Sequence, residues 1–270
     1  MAQQSSQFVG SIPENYDRCL GPHIFYDYAG DLARRATESD PTDALELAAG
    51  TGVLTRRLRD ALPPATNLTA TDLNEPMLGI AESKFSEGEN VSFKVANAME
   101  LPFDESSFDL IVCQFGVMFF PDMQASFREA GRALRSGGRY LFNVWGSISE
   151  NPFAQIGHEV AARFFPEDPP GFYKVPFGFS DQSAIVADIG AAGLRDATYE
   201  IVEINKEVTD WSLLAHGMVF GNPLIDEINE RGGASAEEIE QAILMGLRER
   251  FGPEPSTMPL LASVYSGIAP

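Results

Sequence analysis

The chain has 270 residues, 19 Lys+Arg against 39 Asp+Glu and a formal net charge of -20. Its 44% hydrophobic and 21% charged composition suits one large folded domain, since domains usually hold about 100–200 residues. Nucleic-acid affinity rests on phosphate contacts, and the longest basic cluster is only Arg56-Arg57-Leu58-Arg59, so nucleic acid is excluded as a partner and anionic membrane surfaces are disfavoured.

Two cysteines and three histidines, His23, His158 and His216, lie too far apart in sequence for a disulfide framework or a metal site. No apolar run reaches the roughly 20 residues of a membrane span. The amino terminus lacks the basic and apolar regions of a signal peptide. A cytoplasmic protein is expected.

In chain order, Asp43–Ala48 reads as a strand, followed by glycines and a helix through Leu62. Asn67–Asp72 is a second strand. The helix over Glu75–Phe85 has Asn74 as its cap and Pro76 in its first turn, where a missing N–H costs nothing. Val91–Val95 and Phe108–Gln114 are the third and fourth strands. A helix over Met123–Leu134 is stopped by Ser136-Gly137-Gly138, and Arg139–Trp145 is the fifth strand. Strands separated by helical crossovers predict an α/β fold: a Rossmann-like, mostly parallel sheet with helices on both faces. After Trp145 come a helix over Asn151–Phe165, a Pro-, Gly- and aromatic-rich stretch over Pro166–Phe179, and a helix capped by Ser180. An edge-type strand follows over Arg195–Val208, then helical material over Trp211–Arg250 and a strand over Pro259–Ile268. A single domain results, with a core of about 40–146, 180–208 and 259–268. Cap and lid come from 1–36, 147–179 and 209–252.

The main chemical signal is Glu46-Leu47-Ala48-Ala49-Gly50-Thr51-Gly52, a strand running through small residues into a helix. Backbone N–H groups and the positive helix end then face a ligand, and Gly50 and Gly52 allow its close approach. Asp72, at the end of the second strand, is placed to accept hydrogen bonds from ribose hydroxyls. The bland alternative is a glycine turn that only joins strand to helix. A nicotinamide-binding G-x-G-x-x-G is incomplete, because Ala48 fills the first glycine position and Leu54-Thr55 supplies no third.

The run instead resembles the class I S-adenosylmethionine-dependent methyltransferases, in particular small-molecule C-methyltransferases of the ubiquinone and menaquinone type. Three further segments carry the resemblance: Asn97-Ala98-Met99-Glu100-Leu101-Pro102-Phe103, Phe108–Gln114, and Gly137-Gly138 followed by a strand. It covers about Leu45 to Trp145. It implies a seven-stranded sheet with an antiparallel last strand and S-adenosylmethionine as cofactor, leaving S-adenosylhomocysteine. It also implies cofactor contacts from Glu46, Ala48, Gly50, Thr51 and Gly52 in the turn, and from Asp72, Leu73 and Met77 after the second strand. Asn97 and Ala98 would meet the adenine, with Asn97 in place of the usual aspartate and, alternatively, only capping its loop. Gln114 and Phe115 would sit beside the reaction site.

The segment Pro13–Pro22 is similar to the family's lid, bracketed by the breakers Pro13 and Gly21-Pro22. There Tyr16 would face the methionine end and Arg18 its carboxylate, unless Arg18 is a solvated charge. Tyr26 and Tyr28 would face the acceptor. No general base stands out; His23, Tyr26 and His216 are the candidates, each histidine alternatively a surface or packing residue. The expected reaction is methyl transfer by direct displacement to a small, apolar or aromatic organic acceptor, with no metal. The apolar inserts form a cap or a homodimer face. The alternatives are an NAD(P)-dependent oxidoreductase and a non-catalytic cofactor-binding protein of the same fold.

Overall fold

In a computed structural model, which describes residues 7–270, alternating apolar residues build one sheet whose central strands are buried on both faces while its edge strands stay largely exposed. Strands β1 (Asp43–Leu47), β2 (Asn67–Asp72), β3 (Val91–Val95), β4 (Phe108–Gln114) and β5 (Leu134–Trp145) run parallel; β6 (Arg195–Val208) and β7 (Ser256–Ile268) complete the order β3-β2-β1-β4-β5-β7-β6. Strand β7 is antiparallel to both β5 and β6. Along β4, Leu110 and Val112 join one core cluster while Ile111 and Cys113 join the other, the period of two that a doubly covered strand requires.

The helices between strands are α3 (Val53–Ala61), α4 (Glu75–Glu82), α5 (Met123–Ala133) and α7 (Gln182–Ala191). Side-chain caps start two of them: Asp122 accepts from Ala125 N and Asp181, rather than the expected Ser180, from Ala184 N. Ahead of β1, helical turns run without a break over α1 (Ile12–Asn15), a π-helical stretch (Tyr16–Phe25) and α2 (Tyr26–Thr37). The expected breakers Gly21-Pro22 therefore sit inside a helix; the wide π turn accommodates Pro22. The remaining helices are α6 (Pro152–Phe164), α8 (Trp211–Phe220), α9 (Leu224–Arg231) and α10 (Ala236–Phe251).

Two strand starts differ from expectation. Strand β5 begins at Leu134 and runs through Ser136-Gly137-Gly138, with a register shift opposite Phe108/Leu110. Strand β7 begins at Ser256, so Pro259 lies within it. Pro259 pairs only with β6, at Asn205, because pairing with β5 starts at Ala262; its missing N–H is thus placed where no second strand asks for a donor. Among the described residues no helix is long and apolar enough to cross a membrane.

Candidate functional site

The carboxyl ends of β1, β2, β4 and β5 bring Leu47, Asp72, Gln114 and Trp145 to one edge of the sheet. After β1 the chain turns through left-handed backbone at Ala48, Gly50 and Gly52, with φ of 50°, 56° and 80°. Ala49 N donates to Thr71 O at 2.8 Å and Gly50 N to Asp72 Oδ2 at 2.9 Å, so the turn is knotted to β2. Asp72 Oδ1 accepts from Asn74 N at 2.8 Å. This carboxylate is only 7% exposed; burial raises its pKa while the hydrogen bonds from Asn74 and Gly50 oppose the shift. Asp72 therefore holds the turn together. The side chain of Asn74 does not cap α4; its Oδ1 accepts from Phe8 N at 3.4 Å.

A cavity of about 290 Å³ opens on this edge. Ala48, Gly50, Asp72, Leu73 and Met77 line one side, and Asn97, Ala98, Gln114 and Phe115 the other. Tyr16 closes it from the amino-terminal helix; burial, then the charges of Asp72 and Asp17, push its phenol up, so it stays protonated. A side chain at Gly50 would reach van der Waals contact with Met77 Cε, 3.5 Å from its Cβ, inside the cavity wall. Asn97 Oδ1 accepts from Met99 N at 3.0 Å, so it caps its loop while lining the cavity. Gln114 lines the cavity, and its Oε1 is buried without a partner among the described residues.

Four expected contacts lie elsewhere. Gly52 packs against α4, where a Cβ would stand 2.8 Å from Ala81 Cβ; its bareness serves helix packing rather than ligand approach. Thr51 is buried and donates to Asp17 Oδ1 at 2.7 Å. Arg18 is exposed and donates to Asn15 Oδ1 at 3.3 Å. Glu46 is enclosed in β1, its Oε2 unpartnered and its pKa pushed up to about 8, chiefly by desolvation and further by the Asp72 charge.

A second cavity of about 60 Å³ adjoins the first; Phe8, Tyr16, Phe115 and Phe119 line both. Phe115 stacks on Trp145 with centroids 4.0 Å apart and planes 8° from parallel. Its backbone is left-handed, φ 51°, which costs a bulky residue on the order of 1–2 kcal/mol. The amide that secures it donates to Asn143 Oδ1 at 3.0 Å. Phe153, Phe172 and Phe177 and, from α8, Met218 complete the far wall.

None of the acid–base candidates lines either cavity. His23 Nδ1 donates to Cys19 O at 2.6 Å, and burial lowers its pKa. Tyr26 lies under the Arg57 guanidinium, 6.0 Å from its ring centre. His216 pairs with Glu240 at 3.2 Å and stacks on Phe220. Tyr28 packs edge-on to Phe115 and Trp145 from behind, its hydroxyl donating to Val202 O at 3.2 Å. Among the lining residues that sequence reasoning missed are Phe8, Phe25, Phe177 and Trp145; of these Trp145, last in its strand, was accessible to the rule that ligands sit at strand carboxyl ends.

Residues 44–138 match the family described as a methyltransferase domain. Demethylmenaquinone methyltransferase of Staphylococcus aureus (strain JH9) is 38% identical over 140 residues, 50% of this chain and 58% of the relative, so the chain spans little more than half the length of that curated relative. A Thermotoga maritima structure described as a SAM-dependent methyltransferase, possible histamine N-methyltransferase, superposes with TM-score 0.59 at 16% identity, covering 100% of both chains. Haemonchus contortus phosphoethanolamine N-methyltransferase 2, solved with phosphomonomethylethanolamine and S-adenosylhomocysteine, gives 0.62 at 16% identity, covering 100% of this chain and 59% of that one. Both likenesses are of fold.

Proposed function

We propose that the chain, whose residues 44–138 match a methyltransferase domain, is a class I S-adenosylmethionine-dependent methyltransferase that transfers a methyl group from S-adenosylmethionine to a small organic acceptor, apolar or aromatic in its reacting part. The observation that carries this reading is the pair of adjoining cavities at the carboxyl edge of the sheet, one polar-rimmed and one aromatic. The residues of the first fit the cofactor. Asp72 offers carboxylate oxygens toward hydroxyls, the unpartnered Gln114 Oε1 supplies a waiting acceptor, and bare Gly50 leaves its stretch of wall open.

When bound, S-adenosylmethionine supplies a methyl carbon activated by positively charged sulfur and open to direct displacement. Tyr16, Phe115 and Phe119 line both cavities. They hold the acceptor in line, exclude water, and present ring faces that suit a cationic centre. Alignment and desolvation supply the rate. Among the described residues none of the histidines and no carboxylate other than Asp72 lines either cavity, so no protein base is assigned, and a proton given up by the acceptor on methylation passes to solvent.

The nicotinamide reading is not favoured, since the third glycine of its fingerprint is missing. Titration calorimetry with S-adenosylhomocysteine and with NAD tests the assignment. Saturable heat with the first and none with the second is expected; the reverse overturns it.

A further inference from the structure

Resting on the methyl-transfer reading only for the word acceptor, we propose that the aromatic cavity takes one uncharged aromatic ring of the acceptor and rejects anionic groups. The ring's nucleophilic substituent then points to the seam that Tyr16 shares between the cavities.

Size comes first. One water position needs roughly 10–15 Å³, so about 60 Å³ admits the centres of about four to six non-hydrogen atoms. That suits one aromatic ring and is too small for a fused system.

Charge comes second. A protein with 39 acidic and 19 basic residues places none of them, and no histidine, on this wall. Two of the polar side chains that line it, Tyr173 and Asn222, are already committed. Tyr173 donates its hydroxyl to Met218 O at 2.9 Å. Asn222 donates Nδ2 to the same carbonyl at 3.0 Å and accepts from Leu224 N at 3.0 Å. An anionic guest would lose its hydration and gain no cationic partner. The Gln114 side chain, whose Oε1 has no partner among the described residues, lines the neighbouring cavity and Tyr16 lines both, which places the guest's polar end at the seam.

Shape comes third. Trp145 is stacked on Phe115 at 8° and on Phe177 at 29°, yet meets Phe153 at 69°. A guest among these rings meets faces and edges together, the arrangement in which aromatic pairs gain beyond their buried area. A saturated ring of equal size loses that gain.

The test needs neither cofactor nor turnover. The chain has two tryptophans; Trp145 lines the cavity and Trp211, stacked on Phe251, does not. In protein labelled with 5-fluorotryptophan, phenol should shift the Trp145 fluorine resonance saturably, with Kd on the order of 1 mM for seven non-hydrogen atoms, and leave Trp211 unmoved. Trp211→Phe assigns the two signals, or Trp145→Phe if the first variant does not fold. Benzoate and hexanoate should bind at least tenfold more weakly, and cyclohexanol several-fold more weakly. The proposal is overturned if either carboxylate matches phenol, if cyclohexanol matches it, or if phenol moves neither resonance. Calorimetry with S-adenosylhomocysteine on the same sample separates the failures. Cofactor heat without a phenol shift removes the ring pocket alone; a phenol shift without cofactor heat removes methyl transfer and leaves the pocket.

Discussion

Glu46 stands inside β1 with one carboxyl oxygen unpartnered and a pKa raised from the usual carboxylate range to about 8. The folded state therefore binds its proton more tightly than the unfolded chain does. Its contribution is complete below about pH 4.5 and is lost as pH climbs through 8. Glu46→Gln keeps the shape and removes the titration. The variant should match the parent near pH 5 and exceed it near pH 8 by on the order of 3 kcal/mol, read as denaturant midpoints across that range. A parent midpoint that does not fall relative to the variant's would show that Glu46 is ionised in the fold. Asp72 leads to the opposite case. Its two oxygens accept backbone N–H groups from Gly50 and Asn74, so Asp72→Ala orphans two buried donors as well as the ligand's hydroxyls. Binding of S-adenosylhomocysteine should weaken by roughly 2–3 kcal/mol and stability should fall by a similar amount. Calorimetry and thermal melts on one preparation check both halves; lost stability with unchanged binding would leave Asp72 a structural residue only.

The amino-terminal helix shows how an element is tied to a site without belonging to the sheet. Asp17 on its π-helical stretch accepts from Thr51 Oγ1 at 2.7 Å and pairs with Lys84 Nζ just after α4. One carboxylate thus fastens the wall carried by Tyr16 to the glycine turn and to the helix behind it. A π stretch is rare and mostly confined to single turns, so a ten-residue one relies on its anchors. Asp17→Ala should speed amide exchange over residues 12–28 at least tenfold while the protection of β1, β4 and β5 stays unchanged. S-adenosylhomocysteine should restore part of the lost protection. Unchanged exchange in the variant would mean that apolar packing alone holds the helix.

This element was also the least legible from sequence. Gly21-Pro22 reads as a stop because local propensity says so, yet the helix continues: Gly21 admits the Tyr26 ring, 2.9 Å from where a Cβ would be, and packing overrides propensity. The first five strands, the glycine turn and Asp72 were legible because period-two burial and a strand-to-helix turn are local signals. Gly52 carried the same signal for a different reason, helix packing against Ala81, which no local pattern distinguishes. The aromatic cavity was illegible because Phe8, Phe25, Phe115, Trp145 and Phe177 converge from segments far apart in the chain.

At the scale of the whole molecule, the strand order β5-β7-β6 has a consequence in time. Strand β6 is made about fifty residues before β7, and β7 is its only neighbour in the sheet. On the ribosome, where amino-terminal regions fold first, β1 to β5 can assemble while β6 waits without a ladder partner, its Tyr199 and Ile201 outward-facing even in the finished fold. Nascent chains stalled before Ser256 should therefore be cut by protease within residues 195–208, whereas chains extended so that Ile268 has emerged should resist. Equal resistance at both lengths would mean that β6 finds a temporary partner. Synthesis thus leaves the sheet open at one edge until its final strand slides in, which makes β7 the closing step of the whole assembly and its emergence the moment at which an unpaired strand stops being a hazard to neighbouring chains.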